Sequence, residues 1–216
     1  EVRAIEEGFA AYSQLVAGSG LAINSSSDRD FPGDDPRVRQ AISFAIDRDA
    51  VNARVNDGQG IMGDFYFPPS SPLYTEQPFS TFDADEARRL VEEVKAETGW
   101  DGSFQLLTPV PNDLALAYQA LLNNVGFNVS IDQVASFLEL VERTNFTSNF
   151  DVSIHVITAY ETNVFQSLSR SLTSDSSSNY SKYSNPEFDA IVSELRTAEV
   201  PDGQVDVLGR LGELWL

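Results

Sequence analysis

Residues 34–55 read DDPRVRQAISFAIDRDAVNARV, and the rest of the chain is organised around them. Asp35 is a good helix N-cap, and Pro36 falls at the first helical position, where its missing N–H is a donor the helix leaves unpaired anyway. Val38, Ala41, Ile42, Ala45 and Ile46 follow at i, i+3, i+4, i+7 and i+8, which draws one apolar stripe. Arg37, Arg39, Gln40, Ser43, Asp47 and Arg48 fall off that stripe. The spacing predicts one amphipathic surface helix, stopped near Asn56–Gly60 by DGQG.

Working outward, residues 1–17 carry a helical pattern halted by Gly18 and Gly20, and Leu21–Asn24 is a short strand candidate. Downstream, Pro68-Pro69-Ser70-Ser71-Pro72 is an extended segment that cannot be helical. Thr81–Gly99 opens a second helix, with Asp83 and Glu86 as a capping box and Gly99 as the stop. From Trp100 strands and helices alternate. Strands are predicted at Phe104–Thr108, Gly126–Ile131 and Phe150–Thr158, with helices at Asn112–Val125 and Ala135–Thr144. Such units favour parallel pairing through right-handed crossovers, hence an α/β fold. A short helix over 162–172, a polar loop over 173–184, a helix starting at Asn185-Pro186-Glu187 and a last helix over 204–216 complete the chain.

At 216 residues the chain can bury one sizeable core. No apolar run approaches the roughly 20 residues that span a bilayer. The net charge is −19, and the 14 basic residues include only two lysines and form no cluster. Nucleic-acid binding is thereby disfavoured. With no cysteine, disulfides, zinc–thiolate sites and thiol nucleophiles are excluded.

Candidate chemistry is sparse. His155, the lone histidine, sits between Ile154 and Val156 and lacks the second histidine that metal triads or a Ser-His pair require. Asp34/Asp35, Asp83/Asp85/Glu86 and Glu92/Glu93 fall where helix caps and solvated faces want carboxylates. GQGIMG over 58–63 follows a helix and precedes an extended segment, the wrong order for a phosphate loop. No catalytic residue, metal site or cofactor is expected. What remains is aromatic and polar: Phe65, Tyr66 and Phe67 before a proline pair, and Tyr160, Glu161, Thr162 and Asn163 after a strand's carboxyl end, where ligands lie in open α/β sheets. Ordinary core packing and a plain polar loop are the competing readings of these two clusters. An enzyme using a carboxylate pair, as in glycoside hydrolases or transferases, and a pure protein-interaction domain also stay open.

The run DDPRVRQAISFAIDRDAV resembles the signature helix of bacterial extracellular solute-binding proteins of family 5, the peptide- and nickel-type receptors of ABC importers. Further likenesses follow in the family's order: Leu21-Ala22-Ile23-Asn24, the aromatic-then-Pro-Pro segment Phe65–Pro69, Phe82–Ala87, Gly126-Phe127-Asn128-Val129, Phe150-Asp151, and Tyr183–Asp189. The resemblance implies a periplasmic-binding-protein-like lobe of type II, with a mixed sheet flanked by helices. Residues 1–216 would form a single lobe, the second of two, with the first lobe and the extreme C-terminus absent; the apolar, uncapped ending Leu-Trp-Leu agrees. It also implies an extracytoplasmic protein, periplasmic or a cell-surface lipoprotein, anchored through lipid outside this stretch. That protein would capture an oligopeptide or similar small solute and deliver it to permease subunits. Phe65, Tyr66, Tyr160, Glu161, Asn163 and Phe165 are the expected ligand contacts. Peptide-binding members carry an Asp where this chain has Tyr160, so either Glu161 substitutes for it or the ligand is not a free-amino peptide; a family Trp near Val134-Ala135 is also missing.

Overall fold

The computed structural model describes residues 17–60, 66–76, 81–109, 113–158 and 160–214; the side chains of Ala17 and Ile157 are also outside the description. The expected helix over 1–17 and the contact Phe65 therefore lie outside the described residues, apart from Ala17. The elements are β1 (Ala17–Ile23), α1 (Pro36–Ala45), α2 (Arg48–Asn56), α3 (Ala84–Thr98), β2 (Ser103–Thr108), α4 (Asp113–Asn124), β3 (Asn128–Gln133), α5 (Phe137–Val141), β4 (Val152–Thr158), α6 (Val164–Leu172), α7 (Pro186–Glu194) and α8 (Asp202–Glu213). A π-helical turn, Glu142–Phe146, extends α5, and a 3-10 turn, Glu161–Asn163, precedes α6.

The four strands form one mixed sheet in the order β1-β4-β2-β3. β2 pairs parallel with β3 along its whole length and with β4 only at Leu106↔Val152 and Leu107↔Ser153. β1 runs antiparallel to all of β4, from Ala17↔Thr158 to Ile23↔Val152. Because side chains alternate across a strand, Phe104, Leu106, Val129, Val152 and Ile154 share one face, where Val38, Ala41, Ala45, Val91 and Val94 cover them. Ala22, Leu107, Val134, Leu140 and Phe150 pack on the other. A third cluster joins α6, α7 and α8 to Phe67 and Leu73. The mixed, helix-flanked α/β sheet matches the expectation.

Several local expectations are corrected. The stretch 34–55 is two helices. Asp35 caps the first by accepting from the Arg37 N–H, but Ile46 turns extended, and the Asp47 carboxylate accepts from the Ala50 N–H to start a second helix. A short polar side chain that can bond the backbone competes with helix continuation, and here it wins. The capping box is half formed. Asp83 accepts from the N–H groups of Asp85 and Glu86, while its own N–H donates to Phe44 O and Glu86 instead grips Arg89. The Pro68–Pro72 segment is not extended but folded in turns, with Ser71 N–H donating to Pro68 O at 2.8 Å. β3 begins two residues later than expected, because Gly126, at φ +103°, belongs to the turn before it. The helix expected over 135–144 is a short α-helix followed by the π turn.

Candidate functional site

β4 is longer than the strand beside it. Its residues 154–158 run past the last pair with β2, so among the described residues they are bonded on the β1 side only. The result is a two-stranded ribbon projecting from the carboxyl end of the sheet. Val156, opposite Ser19, is 58% exposed although it lies mid-strand, and Thr158, Ser19 and Gly18 are exposed with it. An exposed valine on a strand flanked by a buried Ile154 marks where the helical cover stops.

On the ribbon's other face a polar loop is held in place. Buried Asn179 donates to Thr173 O (3.2 Å) and Tyr183 O (2.8 Å) and accepts from the Ser181 hydroxyl. Ser25 N–H donates to Ser181 O, which ties the loop to the end of β1. These bonds set the Tyr180 ring against His155, centroids 3.9 Å apart. Burial pushes the Tyr180 phenol up to about 12 and the His155 imidazole below its usual value, so His155 is neutral at pH 7. His155 Nδ1 is buried with no hydrogen-bond partner among the described residues. The Tyr66 phenol is held well above its ordinary pKa by burial and then by the neighbouring Tyr180. Tyr180 thus stacks on His155 under the ribbon, with Tyr66 close enough to Tyr180 to feel its charge.

The expected contacts distribute unevenly. Tyr66 and Phe165 pack against the cluster that contains Phe67, Val164 and Leu168, so 66–67 and the start of α6 share one cluster. Tyr160 is 49% exposed, and its N–H donates to the Ser167 hydroxyl. Glu161 opens the 3-10 turn and is half-exposed. Asn163 is occupied as the cap of α6, accepting from the Gln166 N–H and donating to the Gln166 side-chain oxygen at 2.6 Å. Phe165 borders a shallow groove of about 570 Å³ between α6 and α7, with the Arg196 guanidinium 4.7 Å above its ring. The sequence reading missed Ser19, Val156, Thr158 and Tyr180. The last is hidden in a low-complexity run, and the others depend on which strand outlasts its neighbour.

The carboxylates do other work. Asp35, Asp47 and Asp83 cap helices, Asp132 pairs with Arg143, and Asp151 pairs with Arg29. Among the described residues, the carboxylates that depart from their ordinary pKa, Asp35, Glu86, Asp101 and Glu194, all depart downward, caused first by hydrogen bonds from Arg37, Arg89, Ser103 and Arg210 respectively. A general acid needs the opposite shift. Among the described residues no group of three His, Asp or Glu side chains could hold a metal ion, and no helix is long and apolar enough to cross a membrane.

Residues 10–179 match the family described as bacterial extracellular solute-binding proteins, family 5. The oligopeptide-binding protein AppA of Bacillus subtilis is 31% identical over 133 residues, 51% of this chain and 23% of its own length. The dipeptide-binding protein of Escherichia coli is 24% identical over 185 residues, 82% of this chain and 34% of its own. Among solved structures, the dipeptide-binding protein of a Pseudoalteromonas species in complex with Met-Leu superposes with a TM-score of 0.77 at 21% identity, over 92% of this chain and 40% of that one. The chain thus spans less than half the length of these relatives.

Proposed function

The chain belongs to the bacterial extracellular solute-binding proteins of family 5, and from that premise we propose that it is one lobe of the substrate-binding component of an ABC importer, capturing a peptide-like solute. The observation that carries the reading is the overhang of β4. Residues 154–158 present main-chain N–H and C=O groups on the side that β2 leaves open. An extended peptide binds such an edge by strand addition: the main chain supplies affinity, and neighbouring side chains supply selectivity. Val156, Tyr160, Tyr66 and Glu161 are the side chains that border it, and Phe165 extends the wall. Asn163 acts by capping α6 and so fixes where Tyr160 and Glu161 stand.

The work is capture without chemistry. A second lobe closes on the solute and the closed form docks on the permease outside the cytoplasm. The lowered carboxylates favour this over a hydrolase, which needs a proton-holding acid beside a second carboxylate. The interaction-domain reading has one supporting observation, the strongly exposed Phe137, Leu138 and Phe146 around α5. The test is to express the full-length gene product, extract what co-purifies and identify it by mass spectrometry. A peptide or small peptide-like solute is expected. A product that retains nothing and shows no binding to a peptide library would count against the proposal.

A further inference from the structure

Two arginines of α1 stand two residues apart and do different work. Arg37 is shared among the carboxylates of Asp35, Glu93 and Glu97. Arg39, half-buried, has no carboxylate partner among the described residues. Its guanidinium donates to the carbonyls of Gly33 (2.9 Å) and Asp34 (2.8 Å), and its face lies over the Tyr183 ring, 5.5 Å from the centroid. A planar fork can hold two acceptors and a ring at once, which a lysine does not do. Tyr183 is in turn the hub of the polar loop over 173–184. Its carbonyl accepts from Asn179 at 2.8 Å, its hydroxyl accepts from Asn185, the cap of α7, and its ring meets Phe188 edge-on at 6.2 Å. Asn179 adjoins Tyr180, which stacks on His155 of β4. Between Tyr180 and Tyr183, Lys182 sits at φ +55°, a left-handed backbone that a lysine disfavours. The turn persists because it is held on both sides, by Ser181 O accepting from the Ser25 N–H and by Tyr183 against Arg39.

We propose that Arg39 is a positioning residue: by holding Tyr183 it holds the 173–184 loop, and with it Tyr180, against β4. Each link on the route from Arg39 through Tyr183, Asn179 and Tyr180 to His155 is a direct contact or a covalent neighbour. The donors of Arg39 go to main-chain carbonyls and its charge to a ring, so the residue supplies geometry where Arg37 supplies charge pairing. Releasing Tyr183 lets the left-handed turn at Lys182 relax toward ordinary backbone, which converts a local loss into movement of the loop. Resting on the peptide-capture reading above, the same tie sets the floor beneath the β4 overhang, so the signature helix shapes the solute site without meeting the solute.

The test reads the His155 imidazole by NMR titration of the full-length gene product, with the resonance assigned by its loss in His155→Gln, and the affinity for trialanine by calorimetry. Arg39→Met keeps the side chain's reach and removes the fork. It should bring the His155 pKa, held below 6.5 by burial, up toward that value as Tyr180 loosens. It should also weaken trialanine binding by up to about fivefold, the scale of one cation–π contact. Tyr183→Leu, which leaves the two carbonyl bonds of Arg39 in place, should do the same, and the double variant should do no more than either alone. Arg37→Met should lower the melting temperature and leave both readouts unchanged. Where Arg39→Met does not fold, Arg39→Lys, which keeps the cation and loses the fork, takes its place. If Arg39→Met and Tyr183→Leu lower stability but leave the His155 titration where it was, Arg39 is scaffold and the inference is overturned. A shifted titration with unchanged trialanine affinity upholds the tie and counts against the ribbon as the solute's seat. Should trialanine not bind the parent protein, the peptide reading fails separately and the titration alone decides the inference.

Discussion

The two ends of the sheet solve opposite problems. At the amino end of β2 and β3 four rings interlock: Phe31 lies 5.3 Å from Phe104 and 6.1 Å from Trp100, and Phe127 lies 5.5 Å from Phe104. Charges there are paired. Asp151 accepts from Arg29 at 2.9 Å and from the Gln105 N–H, and Arg37 is shared among Asp35, Glu93 and Glu97. At the carboxyl end β4 runs on past β2 with only β1 beside it among the described residues, and an aliphatic side chain, Val156, faces solvent. The first end is finished as a folding unit. Among the described residues the second has main-chain groups without a strand partner and uncovered apolar area, which is what a binding surface needs.

Substitutions should separate these ends, with large stability effects at the closed one and small ones at the open one. Phe104→Ala removes the ring that touches both Phe31 and Phe127, and should lower stability by about 3–5 kcal/mol in urea denaturation. Asp151→Ala leaves Arg29 and the Gln105 N–H without their shared acceptor and should cost about 1–3 kcal/mol. Asp83→Ala removes the cap of α3 and should cost about 1 kcal/mol, read as a lower melting temperature. Val156→Ala, at an exposed position, should change stability by less than about 0.5 kcal/mol while weakening solute binding severalfold.

The open end also carries a pH dependence. His155 is held below its usual value of 6.5 by burial, so the unfolded chain takes up the proton first as pH falls. Its contribution is fully present above pH 6.5 and declines as pH drops below that value toward the folded pKa. The slope cannot exceed the one-proton limit of about 1.4 kcal/mol per pH unit. Melting temperatures of His155→Phe and the parent protein, compared between pH 7 and pH 5, should show the variant losing less. Parallel curves would mean that the imidazole titrates as freely in the folded protein as in the unfolded chain.

The closed end was largely legible in the sequence because its signals are local. The stripe Val38-Ala41-Ile42-Ala45, the caps Asp35 and Asp83, and Gly99 at φ +76° are read from spacing and residue type alone. The break at Ile46-Asp47 escaped because the apolar period continues across it, while the choice between one helix and two rests on a single carboxylate finding the Ala50 N–H. The open end was legible only in part. Tyr66 and Tyr160 stand out as aromatics beside a proline pair and after a strand. The exposure of Val156 depends instead on β4 outlasting β2, a property of two strands far apart in the chain. Tyr180 lies in a serine-rich run whose order comes from one buried asparagine, Asn179.

The central claim is that the overhang of β4, and not the signature helix, meets the solute. Amide hydrogen exchange in the full-length gene product, with and without its co-purified solute, tests it most directly. The account predicts that amides in 154–158 slow markedly when the solute is bound, while those in 36–45 keep their rates. Slowing confined to 36–45, with 154–158 unchanged, would contradict it.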